Sequence, residues 1–258
     1  MLRLNWDGFV AHVILDRPQQ RNAFDAELIQ AIDETLSQVA QAPQLRALVL
    51  RGEGQHFSAG ADLGWMKSMA QASAEDNRRD AQALASMLRH LYDFPVPTVV
   101  MVQGAAMGGA LGLIACADWC IASDDARFAL SELRLGLAPA VISPYLLRAM
   151  GPRHLMHLAL SASVFDADTA RRIGLVHEIH PLGQLDTALD QALHQLHLTG
   201  PQASRACKAL LRAQTPAPDV ETEQQTVDLI AALRVSDEGQ SGLQAFFAKQ
   251  TPSWQIPS

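Results

Sequence analysis

The chain has 258 residues, 48% hydrophobic and 18% charged, and a net charge of −7. That length supports a full buried core, as one domain or a domain with an appendage, and the mix excludes a disordered chain. The acidic balance argues against a dedicated nucleic-acid binder, which carries a basic face, and no apolar run reaches the length of a membrane-spanning helix.

The N-terminus, Met1-Leu-Arg-Leu-Asn-Trp-Asp-Gly8, has acid and glycine where a signal peptide needs an apolar core. The three cysteines, Cys116, Cys120 and Cys207, are sparse and odd in number. They fit reduced thiols and a cytoplasmic location. Cys116 and Cys120 stand four apart, as a metal pair can. With no His or third Cys nearby, buried free thiols are expected and no metal.

In chain order, Phe9–Leu15 reads as a strand stopped by Asp16-Arg17-Pro18. Asp25 is placed to cap a helix from Ala26 to about Gln41, with Leu28, Ile29, Ile32, Leu36 and Val39 at helical spacing. Leu45–Leu50 is a second strand, apolar enough to be covered on both faces. Residues 63–90 are helical in pattern, with a polar break at Ser73–Asn77 that suits a mobile flap. Pro95 and Pro97 end that helix. Thr98–Val102 is a buried strand, and Gly108–Ala122 reads as one helix of small and apolar residues. A short strand follows around Arg127–Ala129. Helices are expected at Ser143–Met150 and Arg153–Leu160, then one capped by Asp166 or Asp168 and closed by Gly174. Leu175–Ile179 is a strand, and from Leu182 the pattern is helical. Strands alternate with helices to about residue 180, and the strand–turn–strand–helix rhythm near 45–65 and 98–122 suggests a repeated unit. The chain divides into an α/β core over 1–195 and a helical region over 196–258.

Two junctions carry the chemistry. Phe57-Ser-Ala-Gly-Ala-Asp62 and Val102-Gln-Gly-Ala-Ala-Met-Gly-Gly-Ala110 each run from a β-like strand through small residues into a helical pattern. Such junctions leave backbone N–H groups pointing into open space, and two aimed at one point would stabilise a developing oxyanion. Glu132 is a carboxylate among apolar Leu130, Leu133 and Leu135, where burial would raise its pKa into a range useful for proton transfer. Asp62 is expected to cap a helix and Asp118 to pair with backbone or a cation rather than to react. The histidines have no placed catalytic partner, so a Ser/His arrangement at Ser58 or Ser131 is not supported.

The ordered set Asp16-Arg-Pro18, Asn22-Ala23, Phe57–Asp62, Pro97-Thr98, Gln103-Gly104, Gly108-Gly109, Cys116-Ala-Asp118, Glu132, Gly136, Pro139, Gly174-Leu-Val176 and Glu238–Phe246 resembles the enoyl-CoA hydratase/isomerase (crotonase) superfamily over essentially the whole chain. The resemblance implies an α/β spiral of ββα units with C-terminal helices that trimerise, as a homotrimer or a dimer of trimers. It implies an acyl-CoA substrate and no separate cofactor, coenzyme A being part of the substrate. Some relatives of the methylglutaconyl group are said to bind RNA, but the acidic balance and the lack of a Lys-rich helix argue against a nucleic-acid partner here, and no membrane partner is expected. The resemblance assigns the oxyanion donors to the amides of Ala61 and Gly109, and the acid–base role to Glu132. It places coenzyme A along Asn22, Ala23, Ala59, Gly60 and Ala61. Lys249, on the last helix, would reach a neighbouring subunit's coenzyme phosphates.

Two-carboxylate hydratases of the family carry a Glu where this chain has Gly112. That departure, with Pro139-Ala-Val-Ile-Ser-Pro-Tyr145 and Ala61–Lys67, is most similar to methylglutaconyl-CoA and carboxygeranoyl-type hydratases. The acyl pocket is then expected to include Trp65, Lys67, Gly112 and Pro139. A carboxylated acyl group calls for a cation, with Lys67, Arg78 and Arg79 as candidates, and Glu75 or Asp76 could supply a second acid. A single base also suffices to move a double bond, so hydration and isomerisation both stay open, as does acyl-CoA binding without chemistry.

Overall fold

The structure is a computed structural model that describes residues 1–255. It opens with an antiparallel hairpin of β1 (Leu2–Asp7) and β2 (Val10–Leu15). There follow α1 (Ala26–Ala40), β3 (Ala47–Gly52), α2 (Leu63–Gln71), α3 (Ala74–Tyr92), β4 (Thr98–Val102), β5 (Ala105–Met107), α4 (Ala110–Cys116), β6 (Trp119–Ser123) and β7 (Arg127–Ala129). The second half comprises α5 (Ser143–Ser161), β8 (Phe165–Asp166), α6 (Ala167–Arg172), β9 (Glu178–His180), α7 (Leu185–His197), α8 (Pro201–Gln214), α9 (Val220–Val235) and α10 (Asp237–Phe247).

The main sheet has the order β1-β2-β3-β4-β6-β9 and is parallel from β2 onward. Its central strands β2, β3, β4 and β6 are mostly apolar because both faces are covered. On β3, Leu48 and Leu50 face the larger core with α1 and α3, while Ala47 and Val49 join Val99, Met101 and Ile121 against α7. The period of two along each strand sorts one run of side chains into two cores.

A second sheet, β5-β7-β8, stands beside the first. β4 runs into β5 and β6 into β7, so consecutive segments of chain feed both sheets. The segment after β3 joins in, since Ser58 pairs in parallel with Ala106. The repeated strand–turn–strand–helix unit expected near 45–65 and 98–122 is therefore present in three dimensions.

Several boundaries differ from the sequence reading. The helix expected over 108–122 stops at Cys116, and residues 119–123 form β6. Asp118 causes the stop: its carboxylate accepts from the Thr98 N–H (2.8 Å) and hydroxyl (2.9 Å), which draws the next residues in beside β4. β1 was not foreseen, although Leu2, Leu4 and Trp6 alternate with Arg3, Asn5 and Asp7, a period of two that was a usable strand signal. The strand expected at 175–179 lies at 178–180. The two helices expected around Gly151 run as one kinked element, with Gly151 at φ 74° and Pro152 after it.

The break between α2 and α3 is a fastened joint rather than a flap. It falls at Ala72-Ser73, Ser73 caps α3, and the buried Asn77 amide donates to the carbonyls of Met69 (2.9 Å) and Ser73 (3.1 Å).

The C-terminal helices pack on the core from several sides. The last three positions of the 196–258 region lie outside the described residues. α9 buries Val227, Ile230 and Ala231, and α10 buries Gly239, Gly242 and Leu243. α8 buries none of its own residues and is held by ion pairs from Lys208 (2.5 Å) and Arg212 (2.8 Å) to Asp118. Among the described residues no helix is long and apolar enough to cross a membrane.

Candidate active site

Two strand ends build the centre of the site. The Phe24 N–H donates to Gly60 O (2.7 Å), and Phe24 O accepts from the Asp62 N–H (2.7 Å). A parallel bridge of this kind uses the residues flanking Ala61, so the Ala61 N–H points away from Phe24. It has no acceptor among the described residues. On the neighbouring segment the Ser58 N–H donates to Ala105 O (3.0 Å), and Ser58 O accepts from Met107 (3.1 Å). Strand pairing continues to the Gly108 N–H, which donates to Ala129 O (2.9 Å). The next amide, Gly109, is the N-cap of α4 and has no acceptor among the described residues. Ala61 and Gly109 each lie three residues past the same Ser58–Ala106 bridge, which explains how amides far apart in sequence come to flank one cavity.

Two glycines make that approach feasible. Gly60 is left-handed (φ 87°), and a Cβ there would stand 2.9 Å from Met107 O. Gly108 is left-handed too (φ 53°), and its Cβ would stand 3.2 Å from Glu132 Oε1. A side chain at either position would combine a disfavoured φ with crowding.

Glu132 opens a short 3-10 turn, Glu132–Leu135, closed by left-handed Gly136. Its carboxyl lies against Gly108, and its Oε2 is buried without a hydrogen-bond partner. Burial raises its pKa to about 7, against a smaller opposing pull from its own backbone N–H. At neutral pH such a group can both take and give a proton.

These groups line a cavity of about 600 Å³ that is mainly apolar. α2 contributes Trp65, Met66 and Met69. The run after Glu132 contributes Pro139 and Ile142, and α9 contributes Ile230 and Arg234. Glu132 is the only acid on the wall among the described residues.

The expected site residues divide accordingly. Ala59, Gly60, Ala61, Trp65, Gly109, Glu132 and Pro139 all line the cavity. Asn22 and Ala23 are buried and do not. The Asn22 side chain donates to Glu53 O (2.9 Å) and His56 O (2.8 Å), which fixes the loop that places Phe24 on the wall. Gly112 is not on the wall either. A Cβ there would lie 2.5 Å from Ile142 Cγ2, so Ile142 holds the space between it and the cavity. Lys67 is exposed on the outer side of α2. Arg78 pairs with Glu75 and Asp228, and Arg79 with Asp76, all away from the wall. Neither a second acid at Glu75 or Asp76 nor a pocket cation at Lys67, Arg78 or Arg79 is present. Lys249 is exposed in the turn beyond α10, at φ 54°, not on the helix.

Asp62 caps α2 through the Gly64 (2.8 Å) and Trp65 (3.1 Å) amides, and Asp118 is a structural pair, both as expected. Cys116 and Cys120 are buried thiols whose pKa burial pushes up. The sequence reading missed Ile142 and Arg234. The second had a signal: Val227, Ile230 and Arg234 follow helical spacing, so the arginine extends the buried stripe of α9.

Known proteins place this geometry. The family model described as enoyl-CoA hydratase/isomerase matches residues 7–256. The crystal structure of an enoyl-CoA hydratase from Shewanella pealeana is similar at 43% identity and a TM-score of 0.81, over 98% of this chain and 95% of that one. The cyclohexa-1,5-dienecarbonyl-CoA hydratase of Thauera aromatica is 30% identical over 98% of this chain and 95% of its own length. The trans-2-decenoyl-[acyl-carrier-protein] isomerase of Streptococcus mutans is 27% identical over 97% and 96%. The two-sheet α/β architecture with its helical C-terminus is the crotonase fold, and the chain belongs to the enoyl-CoA hydratase/isomerase family.

Proposed function

We propose that the protein adds water across the C2–C3 double bond of a 2-enoyl-CoA, with Glu132 as its acid–base residue. Conjugate addition puts negative charge on the thioester oxygen. The amides of Ala61 and Gly109 would meet that charge as it develops, in a mainly apolar cavity. Glu132 would take a proton from the attacking water and return one to Cα. The observation that carries this reading is a buried carboxyl with an unpartnered oxygen, lying against Gly108 in a cavity flanked by two amides that lack acceptors.

A second reading has its own support. With one acid on the wall, movement of a double bond needs no second group, and an isomerase stands among the relatives. We favour hydration because hydratases at 30% identity or more match nearly the full chain.

We further propose a branched, carboxylated acyl group, of which 3-methylglutaconyl-CoA is an example, entering past Ala59, Gly60 and Ala61. Coenzyme A travels as part of the substrate, and no other cofactor is invoked. Exposed Lys249 would serve a neighbouring subunit's coenzyme phosphates in a homotrimer or dimer of trimers, and the sparse thiols suit the cytoplasm.

A panel of crotonyl-, 3-methylcrotonyl-, 3-methylglutaconyl- and 3-enoyl-CoA, with products read by mass spectrometry, tests the reading. A gain of one water on a 2-enoyl thioester is expected. A shifted double bond with no change in mass would replace hydration by isomerisation, and binding without turnover would reduce the protein to an acyl-CoA binder.

A further inference from the structure

The cavity wall carries a cation that the acid–base chemistry leaves unused. Arg234 lines the cavity one helical turn beyond Ile230. Its side chain is 15% exposed, and that of its partner Asp80 is 9% exposed. The guanidinium is held from one side: Nη1 donates to Asp80 Oδ2 (2.7 Å) and to Asn77 Oδ1 (3.3 Å). Asp80 Oδ1 accepts from the indole Nε1 of Trp65 (3.0 Å), whose ring centre lies 5.5 Å from the Arg234 Cζ. The Gln240 amide donates both to Arg234 O (2.6 Å) and to Ala70 O (2.8 Å). Helices α2, α3, α9 and α10 therefore meet at this arginine.

The other edge of the guanidinium is free. Nε and Nη2 have no acceptor among the described residues, and neither is sealed from solvent. A purely structural latch would use that edge on the protein. Here it is a planar pair of donors, the geometry that binds a carboxylate through two parallel hydrogen bonds. The pairing with Asp80 and the contact with Trp65 fix its orientation in advance, which lowers the cost of binding. Arg134 also lines the cavity and has no ion pair among the described residues. The wall thus carries two cations, and its one carboxyl is already committed to proton transfer.

We infer that Arg234 selects the substrate: its free Nε–Nη2 edge binds a carboxylate at the far end of the acyl chain. The substrate class is then the CoA thioesters of dicarboxylic acids. The inference rests on the acyl-CoA reading of the same cavity, and replaces the outward-facing Lys67, Arg78 and Arg79 in the role of pocket cation.

The test is calorimetric titration of the full chain with glutaryl-CoA and valeryl-CoA. Their acyl chains have the same length, one ending in a carboxylate and the other in a methyl group. Neither has a double bond, so neither turns over. The protein should bind glutaryl-CoA about tenfold tighter or more, as a paired carboxylate warrants. The ratio should collapse toward one in Arg234→Lys, which keeps a cation for Asp80 but loses the fork. It should also collapse in Arg234→Met with Asp80→Asn, which strands no buried charge. Equal or tighter binding of valeryl-CoA would overturn the inference while leaving the acyl-CoA reading intact. A folded variant that keeps the ratio, or one that weakens both esters equally, would reduce Arg234 to a structural latch. Failure of both esters to bind would remove the acyl-CoA reading itself.

Discussion

Glu132 stores free energy that other residues supply. Its pKa of about 7 lies above the ordinary value of 4.5 because burial disfavours the charged form. As pH rises from about 4.5 to 7 the folded chain holds a proton that the unfolded chain has released, so stability falls across that window and stays lower above it. The shift corresponds to a cost on the order of 3 kcal/mol. Glu132→Gln removes it, so urea unfolding of variant and parent should diverge in the variant's favour by about that amount between pH 4.5 and 8. A pH-independent difference would mean the carboxyl is hydrated. The same variant should lose about 10²–10⁴ in turnover while still binding saturated acyl-CoA, and the parent's kcat/KM should rise with pH toward a plateau above about 7. At Gly109 the amide is the group proposed to meet the developing charge. Its φ of −52° suits proline, and a Cβ there would meet only Phe24 Cδ2, at 4.0 Å. Gly109→Pro should therefore cost about 10²–10³ in kcat with little change in KM, measured by steady-state kinetics on the best substrate of the panel.

Among the elements, α4 shows why one acid stands here instead of two. Gly112 lies on its buried side, and a Cβ would be 2.5 Å from Ile142 Cγ2 and 3.3 Å from Leu88 Cδ2. An acid side chain at 112 has no room unless Ile142 moves, so simple restoration of a glutamate should not create a second acid. Gly112→Ala should destabilise by about 1–3 kcal/mol through overpacking. Gly112→Ala combined with Ile142→Ala should recover part of that loss, because the two changes share one space. Thermal melts of the two single variants and the pair measure the coupling, and strict additivity would contradict the close approach. The α2–α3 joint follows similar logic: Asn77, Ser73 and Gln240 tie down backbone that a polar composition alone marks as loose.

At the scale of the molecule, the helical tail is joined to the sheet through Asp118. That carboxylate serves the Thr98 backbone and hydroxyl, Lys208 and Arg212 together, and Arg212 also stacks 3.6 Å over the Tyr92 ring. Burial pulls the Lys208 ammonium pKa down, and Asp118 offsets part of that pull. Asp118→Ala would leave Lys208 and Arg212 without their shared partner under α8. Removing one member of a largely buried pair costs about 3 kcal/mol or more, so denaturant unfolding should report a loss of that order, with hydrogen exchange in α8 rising first. A loss within about 0.5 kcal/mol, the range of ordinary surface substitutions, would show that the tail is held by packing alone.

Much of the candidate site was readable from residue order. Asp25 and Asp62 sit before apolar periods and cap their helices, because a cap depends on amides two or three residues away. The small-residue junctions at 57–62 and 105–110 and the lone Glu132 are local patterns of the same kind, and they carried the family resemblance. Other features depend on partners distant in sequence. Residues 119–123 form a strand between β4 and β9, where Trp119 and Ile121 suit a sheet; the small, apolar run before them masked the change from helix to strand. Lys67 faces outward while Trp65, Met66 and Met69 face in, a consequence of how α2 is rotated on its neighbours. Ile142 closes over Gly112, and Arg234 arrives from a helix near the end of the chain. Propensity and capping act over a few residues of chain. The choice of side chain that reaches a cavity is made when elements far apart in sequence pack at one angle and register.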